Sequence, residues 1–240
     1  MGGTTGLTEE AERVMVITAH PDDAEFTVGG TVARWAREGK AIIYVICTDG
    51  SRGSNDPEVK PDRLVTIRRA EQEAAARILG VEEVVYLGYE DGSLEPTLAL
   101  RRDLTRAIRC YRPDIVVCPD PTVRYYGDSY LNHPDHRAAG DAALDAVFPS
   151  ACTRYIFPEL LAEGLEPHKV REVLIRGALS PNLWVDISDT IELKIAALKK
   201  HESQVSRIQG WEERVRARAQ QEATGQDMTY AESFRRIILK

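Results

Sequence analysis

Two tetrapeptides concentrate the residue types that do chemistry: His20-Pro21-Asp22-Asp23 and His133-Pro134-Asp135-His136. A histidine and a carboxylate at i and i+3, bent by a proline, can converge on one metal ion and leave Asp22 pointing elsewhere. The simpler reading of the first tetrapeptide is a turn in which Asp22 or Asp23 caps the next helix. The second offers two histidines at i and i+3, which taken alone read equally as surface loop residues. The chain holds only five histidines, and three of them fall in these two segments. That concentration favours a joint role over coincidence. Two imidazoles and one carboxylate leave coordination positions open, as catalytic zinc sites do. The same set suits ferrous iron. Such a centre acidifies water to a pKa of about 7. A carboxylate beside that water can take its proton and pass it to a leaving amine. Asp22 is placed for this role if Asp23 is held on the metal.

The elements that must position these residues can be read from hydrophobic patterning. Residues 14–18 (VMVIT) form a short apolar run that ends at Ala19-His20 and reads as a buried strand. A helical pattern follows to Glu38 and stops at Gly39. Residues 41–48 form a second strand, 62–79 a helix stopped by Gly80, 84–87 a third strand, 97–111 a helix, and 114–118 a fourth strand. A loop carrying Tyr125 to His136 leads into a helix ending near Val147. This alternation predicts an α/β fold of the Rossmann-like kind, a mostly parallel sheet with helices on both faces. Ligands then bind beyond the carboxyl ends of the strands. Four unusual loops sit there: 20–23, 48–53, 89–94 and 133–136. Residues 173–175 and 183–187 read as further strands, and from Thr190 the chain reads as helical and highly charged. The expected organisation is one domain over 1–240, with a core at about 14–190 and a helical C-terminal segment at about 190–240.

Composition narrows the function classes. Hydrophobic residues make up 43% and charged residues 29% of the 240 positions, ordinary values for a globular chain able to bury a sizeable core. A net charge of -7 argues against a nucleic-acid backbone as partner. Cys47, Cys110, Cys118 and Cys152 form no C-x-x-C pair, and two lie in apolar runs, which reads as reduced cysteine. No stretch approaches a membrane span and the N-terminus shows no apolar signal core. A cytoplasmic setting is expected.

The paired H-P-D-D and H-x-x-H motifs, with Gly29-Gly30-Thr31 between them, resemble the PIG-L/LmbE-like N-deacetylase family. The likeness covers about residues 14–146, and more weakly 186–204 and 231–236. Members of that family hydrolyse N-acetylglucosamine-containing substrates: precursors of lipid anchors and of small thiols, and chitin fragments. The resemblance implies a zinc ion on His20, Asp23 and His136, with Asp22 as general base and His133 assisting electrostatically. It further implies that Arg68, in an R-x-x-E pattern with Glu71, faces the substrate site, that Asp91 contacts sugar hydroxyls, and that Tyr130 reaches the oxyanion, with Tyr125 and Tyr126 as competitors. Arg68 otherwise reads as an exposed helix arginine, Asp91 as a turn aspartate. The implied partner is a small amino-sugar substrate, and the family's habit also suggests a homo-oligomer.

Gly29 and Gly30 read as packing, a close approach of the helix to a strand or to the metal loop. His168 and His201 read as surface residues. Two rival functions share parts of the pattern. One is an amidase acting on a larger thiol–sugar conjugate with the same centre. The other is a non-catalytic Rossmann-like binding module, against which stands the missing glycine fingerprint after the first strand.

Overall fold

The computed structural model describes residues 11–240. In chain order the elements are β1 (Arg13–Thr18), α1 (Asp23–Arg37), β2 (Ala41–Thr48), α2 (Pro61–Leu79), β3 (Glu83–Tyr89), α3 (Leu98–Tyr111) and β4 (Ile115–Pro119). A small hairpin of β5 (Tyr125–Tyr126) and β6 (Tyr130–Leu131) precedes α4 (Pro134–Asp145). After α5 (Glu159–Ala162) come β7 (Glu172–Arg176), β8 (Leu183–Asp186), α6 (Ile191–Leu198), α7 (Glu202–Val205), α8 (Trp211–Glu222) and β9 (Ala231–Ile238).

Seven strands form one sheet in the order β3-β2-β1-β4-β7-β9-β8. The first five run parallel, and β9 lies antiparallel between β7 and β8. The central strands are covered on both faces, which is why they read as continuous apolar runs rather than alternating ones. In β1, Val14 and Val16 pack into a core shared with α1, α2, α6 and α8. Met15 and Ile17 pack on the other face, against α3 and α4.

Two expectations for the C-terminal quarter are overturned. The stretch from Thr190 is not wholly helical, because residues 231–238 form β9, hydrogen-bonded on both sides within the main sheet. Nor is His201 a surface residue: it is fully buried at the junction of α6 and α7. His168 is partly buried, its Nε2 bonded to the Pro113 carbonyl at 2.7 Å. The glycine pair behaves as packing predicts. A Cβ on Gly30 would lie 2.7 Å from Ile187, so α1 approaches the end of β8 as closely as its backbone allows. Gly140 does the same for α4, where a side chain would run into the Pro119 carbonyl at the end of β4.

The strand order reverses at β1. The chain moves outward through β2 and β3, then returns to place β4 on the other side of β1. The loops after β1 and β4 therefore diverge around a crevice, the usual ligand position in such sheets. The two tetrapeptides lie where these loops run into α1 and α4.

Candidate active site

Local sequence sets up each side chain. His133 is the N-cap of α4, with Pro134 in the first turn, and its Nδ1 accepts the Asp135 N–H at 3.2 Å. Asp22 is the residue before α1 and has φ 98° and ψ −26°, a strained conformation for a residue with a side chain. Its side chain makes no cap hydrogen bond to α1, so the simple capping reading does not hold. Asp23 instead closes the turn by accepting the His20 N–H at 2.8 Å.

The two loops bring His20, Asp23 and His136 together, with one donor atom from each within 4.8 Å of the others. His136 Nε2 lies 3.1 Å from Asp23 Oδ1, and His20 Nδ1 lies 3.5 Å from Asp23 Oδ2. The remaining ring nitrogens are occupied. His20 Nε2 faces Asp91 Oδ1 at 3.1 Å and Asp135 Oδ2 at 3.2 Å, and must carry the proton there. His136 Nδ1 faces Asn132 Oδ1 at 3.2 Å, and the Asn132 amide is oriented by its bond to the Val123 carbonyl. These partners leave His20 Nδ1 and His136 Nε2 as the free lone pairs, the arrangement by which proteins orient metal-binding imidazoles.

The electrostatics point the same way. Burial by itself would lower the His20 pKa, but Asp135, Asp23 and Asp91 outweigh it and push it up to about 12. Positive charge is strongly favoured at this spot. For Asp23, burial works upward, but His136 and His20 hold the carboxyl well below its ordinary range. These residues fit a divalent cation: two imidazoles, an ionised carboxylate, and an excess of negative charge around them. A second set, His20, His133 and Asp135, is also close. Its atoms are already committed, because His133 Nδ1 takes the Asp135 N–H and the Asp135 oxygens accept from Gly92 at 2.7 Å and Leu94 at 3.2 Å.

Asp22 stands beside this cluster. Burial pushes its pKa up to about 6, against the lowering pull of the Arg68 guanidinium. A carboxyl poised there can both accept and return a proton near neutral pH. The His133 pKa is lowered by burial and by neighbouring His20, which favours the neutral ring. With Nδ1 accepting a backbone N–H, that neutral ring carries its proton on Nε2.

Comparisons with known proteins identify the family. Residues 15–147 match the family model PIG-L, described as GlcNAc-PI de-N-acetylase. Diacetylchitobiose deacetylase of Thermococcus kodakarensis is 37% identical over 81% of this chain and 71% of its own length. A 1D-myo-inositol 2-acetamido-2-deoxy-alpha-D-glucopyranoside deacetylase of Saccharopolyspora erythraea is 32% identical over 80% of this chain and 83% of its own. The crystal structure of N,N'-diacetylchitobiose deacetylase from Pyrococcus horikoshii superposes with a TM-score of 0.91 at 33% identity, covering 98% of this chain and 87% of that one. The chain belongs to the PIG-L family of N-deacetylases. It is therefore a deacetylase, and the binding-module reading is set aside.

Within this PIG-L site, two residues expected to face substrate are turned toward protein. Arg68 is almost wholly buried, not an exposed helix arginine. Its guanidinium donates to the Gly50 carbonyl at 3.0 Å, the Pro21 carbonyl at 2.6 Å and Asp22 Oδ2 at 3.3 Å. Glu71 does not pair with it and accepts instead from Ser203. Asp91 is buried behind His20, and its second oxygen accepts the Arg52 N–H at 2.9 Å. The reason is common to both: four loops crowd the strand ends, and charged groups there find protein partners first.

Tyr130 does line an open space. A cavity of about 790 Å³ begins at Asp23 and His136 and runs past Tyr126 and Tyr130 to Arg176 and α8. The Tyr126 hydroxyl is committed to the Gly177 carbonyl at 2.8 Å, whereas the Tyr130 hydroxyl bonds to none of the described residues. Asp135 and Asn132 are site residues that the motif reading did not assign, each bonded to a candidate ligand histidine. Only Asp135 carried a local signal, its place between two candidate histidines.

Proposed function

We propose that this PIG-L member is a zinc-dependent hydrolase that removes the N-acetyl group from an N-acetylglucosamine-containing sugar. The convergence of His20, Asp23 and His136 beside a buried Asp22 carries the reading. The matched relatives act, by their names, on diacetylchitobiose and on a 2-acetamido-glucopyranoside of inositol. Zinc is the preferred metal for two imidazoles and a carboxylate, with ferrous iron as the alternative.

His20, Asp23 and His136 would hold the ion, which supplies Lewis acidity toward the acyl oxygen and acidifies water. Asp22 takes a proton from the attacking water as the new C–O bond forms at the acyl carbon. It returns that proton to the nitrogen as the C–N bond breaks, giving acetate and a free amine. His133 donates its Nε2–H to the oxygen that gains charge. Asp91 and Asp135 hold His20 in the tautomer that turns Nδ1 toward Asp23. Arg68 orients Asp22, and Tyr130 contributes to the wall against which the sugar lies.

Among the described residues no helix is long and apolar enough to cross a membrane. A small sugar as substrate, a cytoplasmic setting and a homo-oligomer remain part of the proposal. The deciding experiment offers zinc-loaded protein a panel of N-acetylated sugars, N-acetylglucosamine, diacetylchitobiose and an N-acetylglucosaminyl inositol, and follows acetate and free amine together. Release of both in equal amounts from at least one is expected. No release from any of them, with the metal bound, would remove the reading.

A further inference from the structure

Behind Asp22, away from the cavity, lies a line of buried polar groups that the mechanism above does not use. The Asp22 N–H donates to Gln72 Oε1 at 2.9 Å. Gln72 Nε2 donates to Glu25 Oε1 at 2.9 Å. Glu25 Oε2 lies 3.3 Å from His201 Nε2. Gln72, Glu25 and His201 each show no exposed surface, and they come from α2, α1 and the α6–α7 junction.

The hydrogen-bond roles of Asp22, Gln72 and the first Glu25 oxygen are forced. Asp22 N–H can only donate, so Gln72 must present its carbonyl there and its amide NH2 to Glu25. The Glu25 carboxylate accepts from Gln72, and its other oxygen faces His201 Nε2 at ion-pair distance, 3.3 Å, without an aligned hydrogen bond. The neighbouring Glu71 accepts from Ser203 N at 2.8 Å and Oγ at 2.6 Å, tying α2 to α7 just beyond His201.

The line ends on a strained residue. A non-glycine residue at φ 98° persists only when its surroundings hold it. Among the described residues Gln72 is the sole acceptor of the Asp22 N–H, and a buried N–H without an acceptor is costly. We propose that Gln72, Glu25 and His201 are positioning residues: together they hold the Asp22 backbone in the conformation that aims its carboxylate at the reacting water. The proposal rests on Asp22 acting as the base. It gives the C-terminal segment, through His201, a part in catalysis without contact with substrate.

Displacing a catalytic group by about 1 Å costs up to about 10²-fold in rate. Gln72→Met keeps the volume and removes the acceptor. It is expected to lower kcat by about 10- to 100-fold, with KM within about twofold and metal content intact. Glu25→Leu, which leaves the Asp22 N–H bond in place, should lower kcat in the same way but by less. Glu25→Gln, which still accepts from Gln72 and can donate to a His201 nitrogen, should recover most of that loss. Because the residues act as a unit, the double variant Gln72→Met/Glu25→Leu should lose no more than Gln72→Met alone. Amide hydrogen exchange needs no substrate: the Asp22 amide should exchange more than about tenfold faster in Gln72→Met, while the α1 interior stays protected. An Asp22 amide equally protected in both proteins overturns the proposal. So does a kcat that falls only in step with the folded fraction, or additive losses in the double variant. Wild-type protein that releases no acetate, yet shows the exchange difference, would instead fault the functional reading and leave the positioning intact.

Discussion

Two clusters of buried charge lie against α1, and they differ in how they are neutralised. In one, Arg176 grips Glu222 with two bonds of 2.7 and 2.6 Å, and Lys194 meets Glu232 at 2.6 Å. Glu232 also accepts the Gly30 N–H at 3.1 Å and the Thr31 N–H at 2.8 Å. Each carboxylate there faces a basic side chain of the protein's own, arginine or lysine. In the other, Asp22, Asp23, Asp91 and Asp135 surround His20 and His136, with Arg68 as the nearest guanidinium. An imidazole is positive only when protonated, and as a metal ligand it must be neutral, so with its histidines in that state this cluster is short of a cation. The first cluster supports the fold by itself, and the second is built to receive an ion. A buried charge needs a partner wherever it sits; what marks the functional site is that part of the partner must come from outside.

The sharpest way to break this comparison is to separate the two adjacent aspartates. Asp22→Asn should keep the metal and lower the rate by about 10²- to 10⁴-fold, the range for a positioned general base. Asp23→Asn should lose metal first, with activity partly restored by added zinc, whereas Asp22→Asn should not respond. Metal analysis beside rate measurements decides it, and the reverse pattern would swap the two roles.

The self-neutralised cluster should respond in stability and not in metal content. Lys194→Met leaves Glu232 buried against α1 without its cation and should cost about 3–5 kcal/mol, the usual penalty for breaking a buried pair. Denaturant unfolding measures this, and metal bound per chain should stay unchanged. Loss of metal in this variant would show that the clusters are not independent.

Asp91 sharpens the boundary of the metal cluster. If it orients His20, Asp91→Asn should weaken metal affinity by about 10- to 100-fold, with KM nearly constant at saturating metal. If it contacts sugar, KM should rise at full metal occupancy. A metal titration followed by kinetics separates the outcomes.

The smallest effect concerns acid. Burial would raise the Glu222 pKa, but the Arg176 guanidinium holds it down at about 2, below the ordinary 4.5. A carboxyl with a depressed folded-state pKa adds stability that is complete above 4.5 and lost as pH falls through 2. The gap in Tm between wild type and Glu222→Gln should therefore narrow across that window. A gap that stays constant from pH 6 to pH 2 would assign the difference to packing.

Much of the positive site could be read from short stretches of chain. His20, Asp23 and His136 follow strands whose apolar runs are unmistakable, and the structure brings those three together. Arg68 and Asp91 were legible as belonging near the site but not in the protein partners they take. Whether a charged side chain faces ligand or protein depends on which loops reach it, and Arg68 bonds to the loop after β1 and the loop after β2. β9 escaped because Glu232, Arg235 and Arg236 make residues 231–238 resemble a solvated charged segment. Its one glutamate, Glu232, is buried against a lysine 38 residues away.

By itself the sequence determined the alternation of strands and helices, the loops that carry chemistry and the donor types available to a metal. These are properties of hydrophobic period and local spacing, and they act over a few residues. The tertiary structure alone decided the tautomer of His20, the burial of His201, the insertion of β9 and the support of Asp22 by Gln72. Those depend on contacts between residues 50 to more than 200 positions apart, such as Asp22 with Gln72 and Gly30 with Glu232. At such separations the partner is set by how the sheet is ordered and how the helices pack on it, which no local pattern encodes.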